Sequence, residues 1–283
     1  MRIETYKNYN PRAKHTIKPR EILRENFVRI NTTIRALQNI RPEIIESYLV
    51  ALKKRLENEV KAYTLDTSTI NLTELSDDLP LINQYPEFKD LIVKVLFKYL
   101  PLPKDSQPGL EEFEGIWVEA LKGWFLVPYY RTKAFTDILG RENGIKFWKE
   151  MVVYLLDEAE EQEEGEIWPP IKEVAESWIN GAKSGENQGF DFTVVIYDDY
   201  KVLLKFDRCC VHESLKYLDD QEIVYLSRCY TGELRADRTN RVRRKRLTQT
   251  LHCGEYCDEF YWDNTVHPNA ENPDKDFIRN LGR

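Results

Sequence analysis

No cysteine occurs in the first 208 residues of this 283-residue chain. That absence excludes thiol chemistry, soft-metal ligation by sulfur and disulfides from the whole stretch. No apolar run is long enough to span a bilayer, so no membrane helix is expected. The sequence contains no phosphate-cradling glycine loop, no Gly-x-Ser-x-Gly elbow and no His-Glu-x-x-His pair. The usual nucleotide-binding, serine-hydrolase and zinc-protease signatures are therefore missing. Positive charge is in deficit, with 41 Lys and Arg against 48 Asp and Glu and a net charge of −7. Proteins that bind nucleic acid or anionic membrane over a whole face are usually basic, so neither partner is expected. No charged-then-apolar leader opens the chain, and no internal repeat is found. The expected compartment is the reducing cytoplasm, where the five cysteines are free thiols or ligands rather than a disulfide frame.

What is present suits a substantial core. Hydrophobic residues make up 42% of the chain and aromatics 12%, including six Trp and sixteen Tyr, which argues against disorder. Residues 1–20, broken by Pro11 and Pro19, read as a loose arm. From Glu21 to residue 105 the pattern is helical. Ile22, Leu23, Phe27, Ile30, Ile34 and Leu37 recur at spacings of three and four, and Tyr48, Leu49, Leu52, Leu56 and Val60 repeat the stripe after Pro42. Pro128 is expected to bend or split the helix that follows. Asp157–Glu166 holds seven carboxylates and reads as a solvated helix end.

After Gly189 the period changes to that of strands. Phe190–Tyr197 and Tyr200–Phe206 flank Asp198-Asp199 as a hairpin would. Leu247–His252 and Tyr256–Trp262 are expected as two further strands joined across Gly254, and residues 266–283 as a polar tail. The expected architecture is α+β: a helical N-terminal part, then an antiparallel sheet with helices packed on one face, in a domain covering residues 106–265.

Chemistry-bearing residues crowd the last third. From His252 onward, eleven residues carry Cys253, Cys257, one imidazole and three carboxylates. Cys209, Cys210, His212 and Cys229 lie shortly upstream. A cysteine becomes nucleophilic where an imidazole or a helix N-terminus stabilises its thiolate. Cys209 and Cys210 follow a strand and open an expected helix, with His212 within reach. Strand alternation sends Cys257 and Asp258 to opposite faces. The sulfur spacing fits no regular zinc pattern, so no cofactor is expected, with zinc or iron left open. The basic run Arg235, Arg238, Arg241, Arg243, Arg244, Lys245 and Arg246 reads as a solvated loop. Arg246 is singled out as a contact for a ligand carboxylate because it leads into the cysteine-bearing segment.

The order of these pieces resembles a known family. A strand hairpin is followed by Cys210, or Cys209, opening a helix, then by Cys229, then by Thr248-Gln249-Thr250-Leu251-His252-Cys253-Gly254-Glu255-Tyr256-Cys257-Asp258-Glu259-Phe260. This is similar to the L-2-amino-thiazoline-4-carboxylic acid hydrolase family, with distant kinship to 4-vinyl-reductase-type domains. Tyr129-Tyr130-Arg131 through Leu139-Gly140-Arg141-Glu142 adds to the likeness, which covers roughly residues 110–262. The resemblance implies a hydrolase that opens a cyclic C–N bond in a small sulfur heterocycle. It implies that Cys210, Cys229 and Cys257 are its thiols. His252 and Cys253 depart from the family pattern, where smaller or acidic residues precede the glycine.

The expected site therefore comprises Cys257, His252, Cys210, Cys229, His212 and Asp258 as catalytic residues, with Arg246 and Thr250 binding a small amino-acid-derived substrate. Two other readings remain open: a small-molecule-binding module without turnover, and a metal-dependent enzyme using the same Cys/His set. A homodimer is also open.

Overall fold

The computed structural model of the chain describes residues 1–68, 70–100, 109–160, 170–238, 242–245 and 250–283. In chain order its elements are β1 (Arg2–Lys7), β2 (Lys14–Ile17), α1 (Pro19–Ile40), α2 (Ile45–Val60), α3 (Pro86–Tyr99), β3 (Phe113–Ile116), α4 (Trp117–Leu139), α5 (Arg141–Glu160) and α6 (Ile171–Ser184). Then follow β4 (Phe190–Asp198), β5 (Lys201–Cys209), α7 (Cys210–Leu215), α8 (Gln221–Arg228), α9 (Tyr230–Arg238), β6 (Val242–Lys245), β7 (Cys257–Asp263) and α10 (Lys275–Asn280). The fold class is α+β. The chain divides into two compact units, one of residues 14–155 and one of residues 1–13 with 156–283.

The first of these units is helical. Proline opens α1 and α3, where its missing N–H costs nothing because the first helical N–H groups have no intrahelical acceptor. The apolar stripes of α1 and α2 are buried as their spacing predicts. Gly123 of α4 lets α3 pass close by, since a Cβ there would lie 2.8 Å from the Leu96 carbonyl oxygen.

The break expected at Pro128 does not occur, and α4 runs through it. Proline cannot donate to the carbonyl four residues back, which is that of Trp124. Buried Asn26 of α1 supplies the missing donor, its Nδ2 reaching the Trp124 carbonyl at 3.3 Å. A side chain on a neighbouring helix thus replaces the hydrogen bond that proline removes.

The other unit is built on a five-stranded sheet in the order β1-β4-β5-β7-β6. Every pairing is antiparallel. Alternate residues of β4, β5 and β7 form its two cores. Phe192, Val194, Ile196, Val202, Leu204, Phe206 and Tyr261 pack against Ile171, Ala175 and Ile179 of α6. On the opposite face, Val195, Leu203 and Phe260 pack with Tyr256, Ile278 and Leu281.

Several expected boundaries move. The arm 1–20 is instead largely structured: β1 pairs along β4 from Arg2↔Ile196 to Lys7↔Asp191. The polar tail 266–283 contains α10, capped by Asp274, and buries Ile278 and Leu281. The helices of 117–155 belong with the helical unit rather than with the sheet. A strand lies at Val242–Lys245 within the basic run, pairing with β7 from Val242↔Asp263 to Lys245↔Phe260. Thr250–Gly254 is not a strand but a turn region. Residues 161–169 of the acidic segment lie outside the described residues, as do Arg241 and Arg246–Gln249.

A candidate acid–base site at two histidines

Cys209 ends β5 and Cys210 begins α7 with no linker between them. The junction is tight. The Cys210 N–H donates to the Gly189 carbonyl at 2.8 Å, and a Cβ on Gly189 would meet the Cys210 sulfur at 2.8 Å. Only glycine fits beside this buried thiol. The Cys209 thiol is hydrogen-bonded to that of Cys210, which, with burial, raises its pKa well above the ordinary thiol range. The backbone N–H groups of Val211 and His212 act in the opposite direction but do not win. Cys209 is therefore a protonated thiol at neutral pH rather than a resting thiolate.

One turn into α7, His212 meets His252, their ring centroids 5.2 Å apart at an interplanar angle of 74°. Forty residues of sequence separate the two. Burial lowers the His212 pKa; Glu213, 3.8 Å from its Nδ1, opposes the shift. His252 is 8% exposed. Its place is set by the turn before β7: its backbone N–H donates to the Thr250 hydroxyl at 3.2 Å, and the Cys253 N–H donates to the Thr250 carbonyl at 2.9 Å. Thr250 thus shapes the turn that presents His252.

Gln221, the first residue of α8, orients the His252 ring. Its Nε2 donates to the carbonyls of Leu215 at 3.0 Å and Leu218 at 2.8 Å. Both amide hydrogens are thereby committed, so Oε1 is the atom 3.0 Å from His252 Nδ1 and accepts its proton. The neutral ring then carries Nδ1–H, and the lone pair resides on Nε2. Nothing in the local pattern singles out Gln221, because a glutamine beside an aspartate N-cap looks like any helix start.

The remaining expected residues go elsewhere. Cys257 packs, half-buried, against the apolar cluster that includes Phe192, Phe206 and Trp178. Asp258 is fully buried and pairs across the strands with Lys205. The opposite-face argument thus separates Cys257 and Asp258, and the two do not form one catalytic pair. Cys229 caps the C-terminus of α8, and Cys253 is exposed. Arg246 lies outside the described residues. Among the described residues, no group of three or more His, Cys, Asp or Glu is placed to hold a metal ion.

Lys205 was also missed. It is 1% exposed in the middle of β5, and its ammonium lies 2.8 Å from Asp207 and 2.8 Å from the Leu281 carbonyl oxygen. The Tyr256 ring lies beneath it at 5.5 Å. A lysine in the inward register of the run Val202–Phe206 was the available signal, since a buried ammonium must find partners. Here it joins the sheet to the C-terminal segment.

Compared with protein-family models, with curated proteins and with solved structures, the chain matches none. The functional reading therefore rests on the geometry and on the sequence resemblance.

Proposed function

We propose that the chain is a hydrolase-like enzyme acting on a C–N bond of a small amino-acid-derived substrate, of the amidine or thiazoline kind. The observation that carries this reading is the His212–His252 contact, with His252 held in one tautomer by Gln221. A buried imidazole with a defined lone pair is suited to general-base work near neutral pH. In this reading His252 Nε2 takes a proton from water as the water oxygen adds to the amidine carbon. The C–N bond then breaks, and the proton passes to the departing nitrogen. Burial favours the neutral form of His212, so the pair starts with a base rather than two cations. The Cys209 thiol keeps its proton, so a thiol attack there would first need a base. A substrate carboxylate falls to Arg246 on the resemblance alone.

The test is incubation of the purified chain with 2-amino-thiazoline-4-carboxylate, following ring opening by mass spectrometry. Turnover that falls at least about a hundredfold in His252→Gln, the low end for loss of a general base, supports the assignment. Saturable binding without product transfers the site to the binding-module reading. Turnover unchanged in both His252→Gln and His212→Gln overturns the acid–base role.

A further inference from the structure

The five-stranded sheet ends in two edges, β1 and β6, and they differ in charge. Among the described residues, β4 pairs with one side of β1, and no strand or further backbone hydrogen bond meets the other side. An unpaired edge is a row of N–H and C=O groups open to another strand, and like charge along it blunts the tendency. β6 is blunted in this way. Three of its four residues, Arg243, Arg244 and Lys245, are basic, so a copy of itself would set cation against cation. β1 is not. Its sequence Arg2-Ile3-Glu4-Thr5-Tyr6-Lys7 carries both signs, and it leaves Ile3 43% exposed beside Met1 at 76%.

Symmetry restricts how β1 can pair with a second β1. Two identical antiparallel strands in one sheet are related by a two-fold axis normal to it, which keeps each face on its own side. Residues directly opposite must then share a face, so the axis passes between one residue and its own copy. Centred on Glu4, the pairing sets that carboxylate against itself. Centred on Thr5, it sets exposed Ile3 against the partner's Lys7. Centred on Ile3, it sets Ile3 against its copy and Arg2 against the partner's Glu4, twice over. Arg2 and Glu4 already form an ion pair within one chain. The four charges of the pair of strands then make a square of alternating sign on one face, while the two Ile3 side chains cover each other on the opposite face.

We propose that the outer edge of β1 is the interface of a homodimer, in which two copies join their sheets through antiparallel β1 strands centred on Ile3. Main-chain hydrogen bonds supply the affinity, and the alternating charges with the Ile3 pair supply the register. The basic β6 edge takes no part, so assembly stops at two. A contact between single edge strands is small, so the dimer exchanges with monomer at micromolar concentration. The edge carries none of the residues of the histidine site.

The experiment is sedimentation velocity of the full chain over a concentration series, with two variants at the position that meets its own copy. The parent should pass from monomer to dimer. Ile3→Lys and Ile3→Glu each place like charges at the axis, and each alone should weaken dimerisation at least about tenfold. An equimolar mixture of the two variants should dimerise again as the parent does, because lysine then faces glutamate. Urea midpoints near the parent's show that each variant is folded. A parent that stays monomeric across the series overturns the proposal. So does a dimer that survives in both variants, since its interface then lies elsewhere. Folded variants that dissociate and do not recover on mixing overturn the Ile3-centred pairing, and species larger than two overturn the closed dimer.

Discussion

At the residue scale, one atom can decide whether an element survives. Asn26 is the clearest case, because its amide replaces the hydrogen bond that Pro128 removes from α4. Asn26→Leu leaves the Trp124 carbonyl without that donor, and the expected loss is about 1–3 kcal/mol in urea unfolding. The companion variant Asn26→Leu with Pro128→Ala restores the backbone donor and should recover most of it. His212 gives a pH dependence. Its folded pKa is depressed below the ordinary value of about 6.5, so protons bind the unfolded chain more readily. Stability should be level above that value and should fall as pH drops through it toward the depressed folded pKa. His212→Gln should flatten this part of the profile. Thiol reactivity should be uneven as well. Exposed Cys253 should label first with iodoacetamide at neutral pH and Cys209 far more slowly, since its proton is held. Equal rates at the two would refute the protonated-thiol reading.

At the scale of elements, the decisive contacts join pieces that the sequence keeps far apart. The C-terminal segment packs on one face of the sheet because the Lys205 ammonium donates to the Arg279 and Leu281 carbonyls and Asp274 caps its helix. Asp274 Oδ1 takes the N–H groups of Asp276 and Phe277, each at 2.9 Å. Asp274→Ala should cost about 1 kcal/mol and raise hydrogen exchange over residues 275–283. Lys205→Met should cost up to about 3 kcal/mol, the low end for a broken buried pair, because Asp207 keeps 27% exposure. The helices were legible before the structure, since a 3.6-residue period with a proline at the start specifies a helix locally. The hairpin of β4 and β5 was legible for the same reason, with two β-rich runs around Asp198-Asp199. The strand β6 was not, because Val-Arg-Arg-Lys reads as a solvated run until β7 lies beside it. Charged residues suit an edge strand, where they discourage pairing with another chain.

At the scale of the whole molecule, the sheet unit is discontinuous in sequence. Residues 1–13 complete a unit whose other residues begin at 156. Removing residues 1–13 should expose the β4 edge and cost roughly 1–6 kcal/mol, from the six cross-strand pairs between β1 and β4. The expected signature is a lower urea midpoint and concentration-dependent aggregation. An unchanged midpoint would mean that β1 contributes nothing to the sheet. No helix among the described residues is long and apolar enough to cross a membrane.

The sequence alone determined the fold class, the helical first part, the β4–β5 hairpin and the region where Cys and His residues concentrate. These follow from local periodicity and composition, which each segment carries by itself. Only the tertiary structure decided which of those residues meet. It placed His212 against His252 and separated Cys257 from Asp258. It recruited Gln221 to orient one ring and Lys205 to hold the C-terminus, and it turned the N-terminal arm into an edge strand. The contacts behind them join residues from 31 to 194 positions apart. Such contacts leave no period in the sequence, because the partner's identity is set by the register of the sheet and the packing of side chains around it.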